Sequence, residues 1–266
     1  MEIIASANQK GGVGKTTSVV TLAGLLAKNG SRVLMVDIDP QCSLTCYFGF
    51  TPELLDATSY HLFPVPGGNI DAVDMLIPLE EKNLVLLPSS PAIATVEKQL
   101  FDQKGMGFVI SSALKGLRSH FDYIFIDTPP ALGILMINAL AACDKLLVPV
   151  QTEYLALKGL ERMIGSLEMM ARIRKKPLDY MIVPTMVDRR TQASLRSLQA
   201  LRDNYRRNIW SGSIPVDTKF REASLLGRPL ANAFPSSRGA KAYEALWHDL
   251  TRTHPSHVES DALEMA

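Results

Sequence analysis

Between Asn8 and Thr17 the chain reads "NQKGGVGKTT", which places three glycines, two lysines and two threonines in one short turn. The apolar run "MEIIASA" precedes it and a helical pattern follows. A glycine-rich turn between a buried strand and a helix aims backbone N–H groups at phosphate oxygens, and the helix N-terminus adds the positive end of its dipole. Gly11, Gly12 and Gly14 allow a phosphate to approach because they carry no Cβ, and Val13 and Thr17 complete the binding segment. Lys15 falls where an ammonium reaches the β- and γ-phosphates, and Thr16 where a hydroxyl reaches Mg²⁺. ATP and Mg²⁺ are therefore the expected ligands. The spacing is nevertheless irregular. Counting back from Gly14-Lys15-Thr16, the usual G-x-x-x-x-G-K-[ST] puts a glycine where Gln9 stands, and a second lysine, Lys10, follows it.

Two carboxylate clusters fit the same chemistry. "MVDIDPQ" sets Asp37 and Asp39 at the carboxyl end of a strand, where open α/β sheets bind ligands. "YIFIDTPP" sets Asp127 at the end of another. Asp127 can hold Mg²⁺ through water as a Walker B carboxylate does, with Asp37 beside it in the metal set, and Asp39 can orient a water attacking the γ-phosphate. A strand-end aspartate that only caps the next turn is the competing reading for each.

These groups need a scaffold. Strand-like runs are 2–7, Arg32–Asp39, Leu84–Ser89, Tyr123–Pro129, Lys145–Val150 and Asp179–Thr185. They are apolar almost throughout, as strands covered on both faces should be. Helix-like segments are Thr17–Asn29, Ala92–Phe101, Gly107–Arg118, Ile134–Ala142, Leu155–Ile173 and Gln192–Tyr205. The alternation predicts an α/β fold, a mostly parallel twisted sheet with helices on both faces. Gly30 reads as a helix stop. The Pro- and Gly-rich stretch 51–82 reads as an elaborated loop with short helices. The expected organisation is one domain over 1–252 and a polar, disordered tail over 253–266.

The chain has 266 residues, of which 47% are hydrophobic and 21% charged, a globular composition. Its net charge of +1 hides an asymmetry: residues 171–228 hold 13 Lys/Arg against 5 Asp/Glu. That segment suits a polyanion, or else a solvated helix face. Cys42, Cys46 and Cys143 form neither a disulfide framework nor a complete metal set, which fits a reduced, cytoplasmic protein. No signal peptide or membrane-spanning run is visible.

"KGGVGKTT", "VDIDPQ" and "IDTPP" together resemble the ParA/MinD superfamily of deviant Walker A ATPases, from Met1 to about Leu250. The resemblance implies a P-loop NTPase fold, slow partner-stimulated ATP hydrolysis, and a homodimer that forms on ATP binding. It also implies that Lys10 reaches across the dimer to the partner's phosphates, acting on transition-state charge much as an arginine finger does. "PTMVDRRT" resembles the segment beside the adenine, which places Met186 there, and "SIPVDTKFREASLLGRPL" the segment closing over it, with Pro215 on the purine. Arg190, Lys219 and Arg221 fall at places of non-specific DNA contact. Lys219 stands where arginine is usual and so lacks the bidentate fork. "LLPSSPAIATVEKQ", "VPVQTEYLALKGLERM" and "VDRRTQASLRSL" resemble ParC-type members that position polar chemotaxis arrays. The implied partners are a cargo adaptor or activator, either a chemotaxis-array protein or a ParB-like one, and the implied location is the nucleoid or cell pole. A ParA/Soj-type role in chromosome or plasmid partitioning is the alternative. Glu153 and Lys158 otherwise read as framing a helix start.

Competing classes fit less well. A MinD-like membrane ATPase needs a basic amphipathic terminal helix, and "SHVESDALEMA" is acidic, so no stable membrane binding is expected. An iron–sulfur reductase needs paired cysteines after Asp127, where Cys143 stands alone in sequence. A ligase of the same fold needs a substrate-carboxylate site, and none stands out. A binding module without turnover would lack Asp39.

Overall fold

The computed structural model describes residues 1–68, 70–100, 105–174 and 177–251. Seven strands form one sheet: β1 (Glu2–Ser6), β2 (Val33–Asp37), β3 (Ile77–Pro78), β4 (Leu84–Leu87), β5 (Tyr123–Asp127), β6 (Lys145–Gln151) and β7 (Asp179–Thr185), in the order β3-β4-β2-β5-β1-β6-β7. Every pairing is parallel except the short β3–β4 edge.

The strands read as continuous apolar runs because each face meets its own core. Ile3 and Ile4 are successive residues, and they enter opposite clusters. On one face α1 (Lys15–Lys28) and α10 (Arg238–Thr251) lay Val19, Leu22, Tyr243 and Leu246 over Ile4, Met35 and Phe125. On the other, α4 (Val109–Lys115), α5 (Ile134–Ala142), α6 (Tyr154–Arg174) and α7 (Gln192–Asn204) bring Ile110, Leu135, Leu160 and Leu201 to Leu34, Ile124 and Leu146. Each fully buried side chain of this size contributes about 1.5–3 kcal/mol relative to exposure. β1 lies between β5 and β6, so the turn leaving it meets the carboxyl ends of both neighbours.

All six expected strands are present. β2 stops at Asp37 rather than Asp39 because the Asp37 carboxylate itself accepts the Asp39 N–H, at 3.0 Å, in place of a ladder bond. α1 begins at Lys15, two residues earlier than expected, since the left-handed Gly14 already turns the chain. Gly30, at φ 95°, closes α1 with N–H bonds from Gly30 to Ala27 and Ser31 to Leu26, a Schellman-type stop. Stretch 51–82 holds three 3₁₀ turns, Pro52–Leu54, Ser59–Leu62 and Ala72–Met75, and the unanticipated β3. The expected helix Ala92–Phe101 resolves into a 3₁₀ turn, Pro91–Ile93, and α3 (Ala94–Leu100); Phe101 lies outside the described residues.

Among the described residues three helices follow the last one expected: α8 (Lys219–Leu225), α9 (Leu230–Ala233) and α10. The α10 signal was legible, because Tyr243, Leu246 and Leu250 recur at helical spacing and are buried. α2 (Ser43–Tyr47), a single turn after β2, was too short to announce itself. The expected tail 253–266 lies outside the described residues. Among those described, no helix is long and apolar enough to cross a membrane.

Candidate nucleotide-binding and active site

The turn after β1 is built around an anion-sized space. Gly12 (φ 73°) and Gly14 (φ 96°) adopt the left-handed conformation, and a Cβ on either would meet nothing within 4 Å. Their conformation therefore requires glycine, while the emptiness beside them leaves room for a phosphate. α1 starts at Gly14 with no side-chain cap and no acidic residue in its first turn. Its leading N–H groups are thus left for a ligand. Ser18 N–H donates to the Gly14 carbonyl at 2.9 Å, so the helix starts cleanly behind the turn.

Lys15 is 7% exposed, and its ammonium donates to the Lys10 carbonyl at 3.3 Å, bracing the turn across its mouth. Burial pulls its pKa down, while Asp127 and Asp39 pull it up. The cation is held beside carboxylates in a site that partly excludes water, where charge acts strongly.

The carboxylates meet because of register. Asp37 of β2 and Ser6 of β1 are both Cα partners of Asp127 on the intervening β5. Asp127 is fully buried; its Oδ2 accepts the Thr16 hydroxyl at 2.6 Å, and its Oδ1 has no hydrogen-bond partner among the described residues. Burial raises the Asp127 pKa well above the usual carboxylate value, and the neighbouring Asp37 raises it further. An orphaned buried carboxylate oxygen beside a threonine hydroxyl suits a hydrated Mg²⁺. Among the described residues no three His, Cys, Asp or Glu side chains converge on one point.

Asp37 does different work. Its oxygens accept from Asp39 N–H (3.0 Å), Thr45 N–H (2.9 Å) and the Thr45 hydroxyl (2.7 Å), which builds the turn that carries Asp39. Asp39 is 5% exposed, and its Oδ1 accepts the Gln41 N–H at 2.9 Å. Burial raises the Asp39 pKa, and Lys15 partly offsets this.

A stability prediction follows from the sign of these shifts. Burial pushes Asp37 up to about 6 from 3.8, so the folded chain binds its proton more tightly than the unfolded one does. The resulting cost is full above pH 6 and relieved as pH falls toward 4. Thermal melts of the nucleotide-free chain should therefore show about 1 kcal/mol more stability at pH 5 than at pH 7. Asp122 and Asp188, both held at about 2 mainly by arginine hydrogen bonds, titrate below that window. A melting temperature that falls steadily from pH 7 to pH 5 would contradict the burial account.

The expected base-side residues come together beside the turn. At the end of β7 the Thr185 hydroxyl donates to the Val13 carbonyl at 2.9 Å, tying that strand to the loop. Met186 follows in a left-handed conformation (φ 53°) that costs a non-glycine residue about 1 kcal/mol or more. Val187 then forms a parallel bridge with Pro215. A cavity of about 530 Å³ opens between these segments and α10, lined by Val187, Arg190, Ser213, Pro215, Val216 and Arg238 among others.

The expected DNA contacts lie on the surface of this same region. Arg190 is exposed and chelates Asp188 at 2.9 and 2.8 Å. Lys219 pairs with Glu222 at 2.5 Å and lies 4.8 Å from the Phe234 ring centroid. Arg221 is exposed on α8.

Lys10 takes a separate course. Its ammonium turns from the cradle to the Glu153 carboxylate, just before α6, and to Gln151 Oε1 at 3.3 Å, at the end of β6. Sequence reasoning did not foresee these partners, nor Thr185, because contacts between residues more than a hundred positions apart leave no local pattern. Thr45, eight positions from Asp37, was missed because a lone threonine after a strand is no motif.

Residues 1–181 match a family model described as an AAA domain. The sporulation initiation inhibitor protein Soj of Bacillus subtilis is 36% identical over 247 residues, covering 91% of this chain and 95% of Soj. The chromosome partitioning protein ParA of Myxococcus xanthus is 32% identical over 251 residues, covering 94% and 88% respectively.

The chain belongs to the ParA/MinD-type P-loop ATPase family.

A solved structure of this family's fold, a cobyrinic acid a,c-diamide synthase from Mycobacterium smegmatis with bound ATP analogue and magnesium, superposes with a TM-score of 0.81 at 31% identity, covering 95% of each chain. Within this ParA/MinD-type chain, the turn at 8–17 and the three aspartates occupy the carboxyl ends of β1, β2 and β5, where such folds bind ligands.

Proposed function

We propose that this ParA/MinD-type protein is an ATP-operated dimerisation switch that positions DNA. The observation that carries the reading is the division between the two lysines of the 8–17 turn. Lys15 lies inside its own cradle, whereas Lys10 is one-third exposed and turned outward to Glu153. An ammonium at the lip of the site can serve a second copy's nucleotide once it leaves that carboxylate. Two facing triphosphates repel, and a cation supplied in trans offsets that repulsion, making association conditional on ATP.

In this reading Gly11, Gly12, Val13, Gly14, Thr16 and Thr17 hold the phosphates together with Lys15. Thr16 and Asp127 hold Mg²⁺, which neutralises charge on the phosphates when bound. Asp37 supports Asp39, Asp39 orients the attacking water, and Met186 and Pro215 flank the base. Hydrolysis is slow until a partner protein intervenes, and it returns the chain to the monomer.

Partitioning of DNA is supported by the partitioning ParA of Myxococcus xanthus, which matches along nearly the whole chain. The ATP dimer would bind duplex DNA through Arg190, Lys219 and Arg221, in the cytoplasm and on the nucleoid, without stable membrane attachment. Positioning of polar chemotaxis arrays is the second reading. It rests on the likeness of Leu86–Gln99, Val148–Met163 and Val187–Leu198 to ParC-type members.

Sedimentation with ATP and Mg²⁺ tests the switch. Lys10→Ala should bind ATP yet remain monomeric, while the native chain dimerises and then binds duplex DNA with affinity that falls as salt rises. Normal dimerisation of Lys10→Ala would refute the trans role, and salt-independent DNA affinity would refute the electrostatic contact.

A further inference from the structure

We propose that Glu153 is the resting partner of Lys10, and that this pair sets how much ATP-driven association the chain needs before it dimerises. The inference rests on the trans role of Lys10. Three consecutive residues at the loop entrance are tied to β6 and α6: Asn8 Nδ2 donates to the Pro149 carbonyl at 2.7 Å, Gln9 Nε2 to Ser166 Oγ at 3.0 Å, and Lys10 Nζ to Glu153 and to Gln151. The entrance of the nucleotide loop is thus docked on β6 and α6 of its own chain.

The two members of the pair differ in what else holds them. Glu153 sits at the start of the 21-residue α6: its carbonyl accepts the Ala156 N–H at 3.1 Å, and its own N–H donates to Gln151 at 2.9 Å. Between them Thr152 is buried and pinned, its N–H on the Thr185 carbonyl at 3.2 Å and its hydroxyl on Ser194 at 2.7 Å. A carboxylate at a helix N-terminus is also favoured by the dipole. Glu153 therefore stays in place without Lys10. Among the described residues the Lys10 ammonium is held by Glu153 and Gln151, and its flexible stem can leave them.

An ammonium held by its own chain is unavailable to a neighbour. Crossing to the partner's phosphates requires breaking one such pair per protomer, hence two per dimer. Only the difference in interaction between the two states shifts the equilibrium, so a contact made in the monomer alone opposes the dimer. Side chains that are 33% and 41% exposed form a weak pair, which suits a threshold that ATP can overcome.

Glu153→Gln removes the charge while keeping size and helix position. In sedimentation velocity over a protein-concentration series with ATP and Mg²⁺, its apparent dimer dissociation constant should fall roughly tenfold below that of the native chain, two weak pairs being released per dimer. Gln151→Ala should move it the same way by a smaller factor. A general structural defect would weaken association instead, so the direction of the change is diagnostic. An unchanged or raised dissociation constant for Glu153→Gln overturns the proposal; a raised one would mean that Glu153 contributes to the dimer itself. The outcome is separable from the switch reading. If Lys10→Ala dimerises normally, the trans lysine fails whatever Glu153 does. If Lys10→Ala stays monomeric and Glu153→Gln behaves like the native chain, the resting pair alone fails.

Discussion

Lys15→Ala is expected to lose ATP affinity by about 100-fold or more, measured by titration calorimetry or by competition with a fluorescent nucleotide. Two effects combine. The variant removes the Lys15 cation from the cradle, and it leaves Asp127 and Asp39 facing the incoming phosphates without that charge to offset theirs. Truncating one partner of a buried, hydrogen-bonded charge pair across a binding interface typically costs about 2–5 kcal/mol or more, which is a factor of about thirty to several thousand in binding. The brace from Lys15 to the Lys10 carbonyl is also lost, so the empty turn becomes less ordered. Thermal melts must show a folded variant for the comparison to hold. Because most of the side chain is replaced by space near the surface of the site, the fold itself should survive. Affinity within a few-fold of the native chain would remove Lys15 from the phosphate site.

Asp39→Ala is expected to bind ATP, accumulate as a dimer and lose hydrolysis by about 10²–10⁴-fold, the range over which a positioned acid–base group acts. The carboxylate has a local duty too, since its Oδ1 holds the Gln41 N–H at 2.9 Å. Asp39→Asn separates the two. It keeps that acceptor and the turn but removes the charge, and it should lose turnover nearly as completely as the alanine variant. If asparagine restores hydrolysis, Asp39 serves the turn and not the water. The same alanine variant, locked with ATP, is the reagent for the cargo. Recovery of a centromere-binding adaptor from the source cell would support partitioning, and recovery of chemotaxis-array proteins would support the second reading.

How much of this site could be read in advance varies residue by residue. Gly12 and Gly14 were legible because a left-handed turn against a phosphate admits no side chain, and that requirement is local. Asp37, Asp39 and Asp127 were legible as strand-end carboxylates. Their division of labour was not, because it depends on which oxygens are already taken. Asp37 is engaged by Asp39 and Thr45, while Asp127 keeps Oδ1 unpartnered among the described residues. Helix α10 carried a readable stripe in Tyr243, Leu246 and Leu250, yet its place over α1 comes from packing.

The chain's own letters determined what is local: the strand–turn–helix around Gly14, the parallel sheet implied by apolar runs covered on both faces, and the chemical types available at each strand end. Only the folded arrangement decided which of those types meet. Parallel register brings Asp37 and Ser6 level with Asp127 across neighbouring strands. The order of β1 beside β6 brings Lys10 to Glu153, 143 positions away. Hydrogen bonding between strands and charge pairing act over a few ångströms of space whatever the separation along the chain, so no window of residues could have announced that lysine's partner.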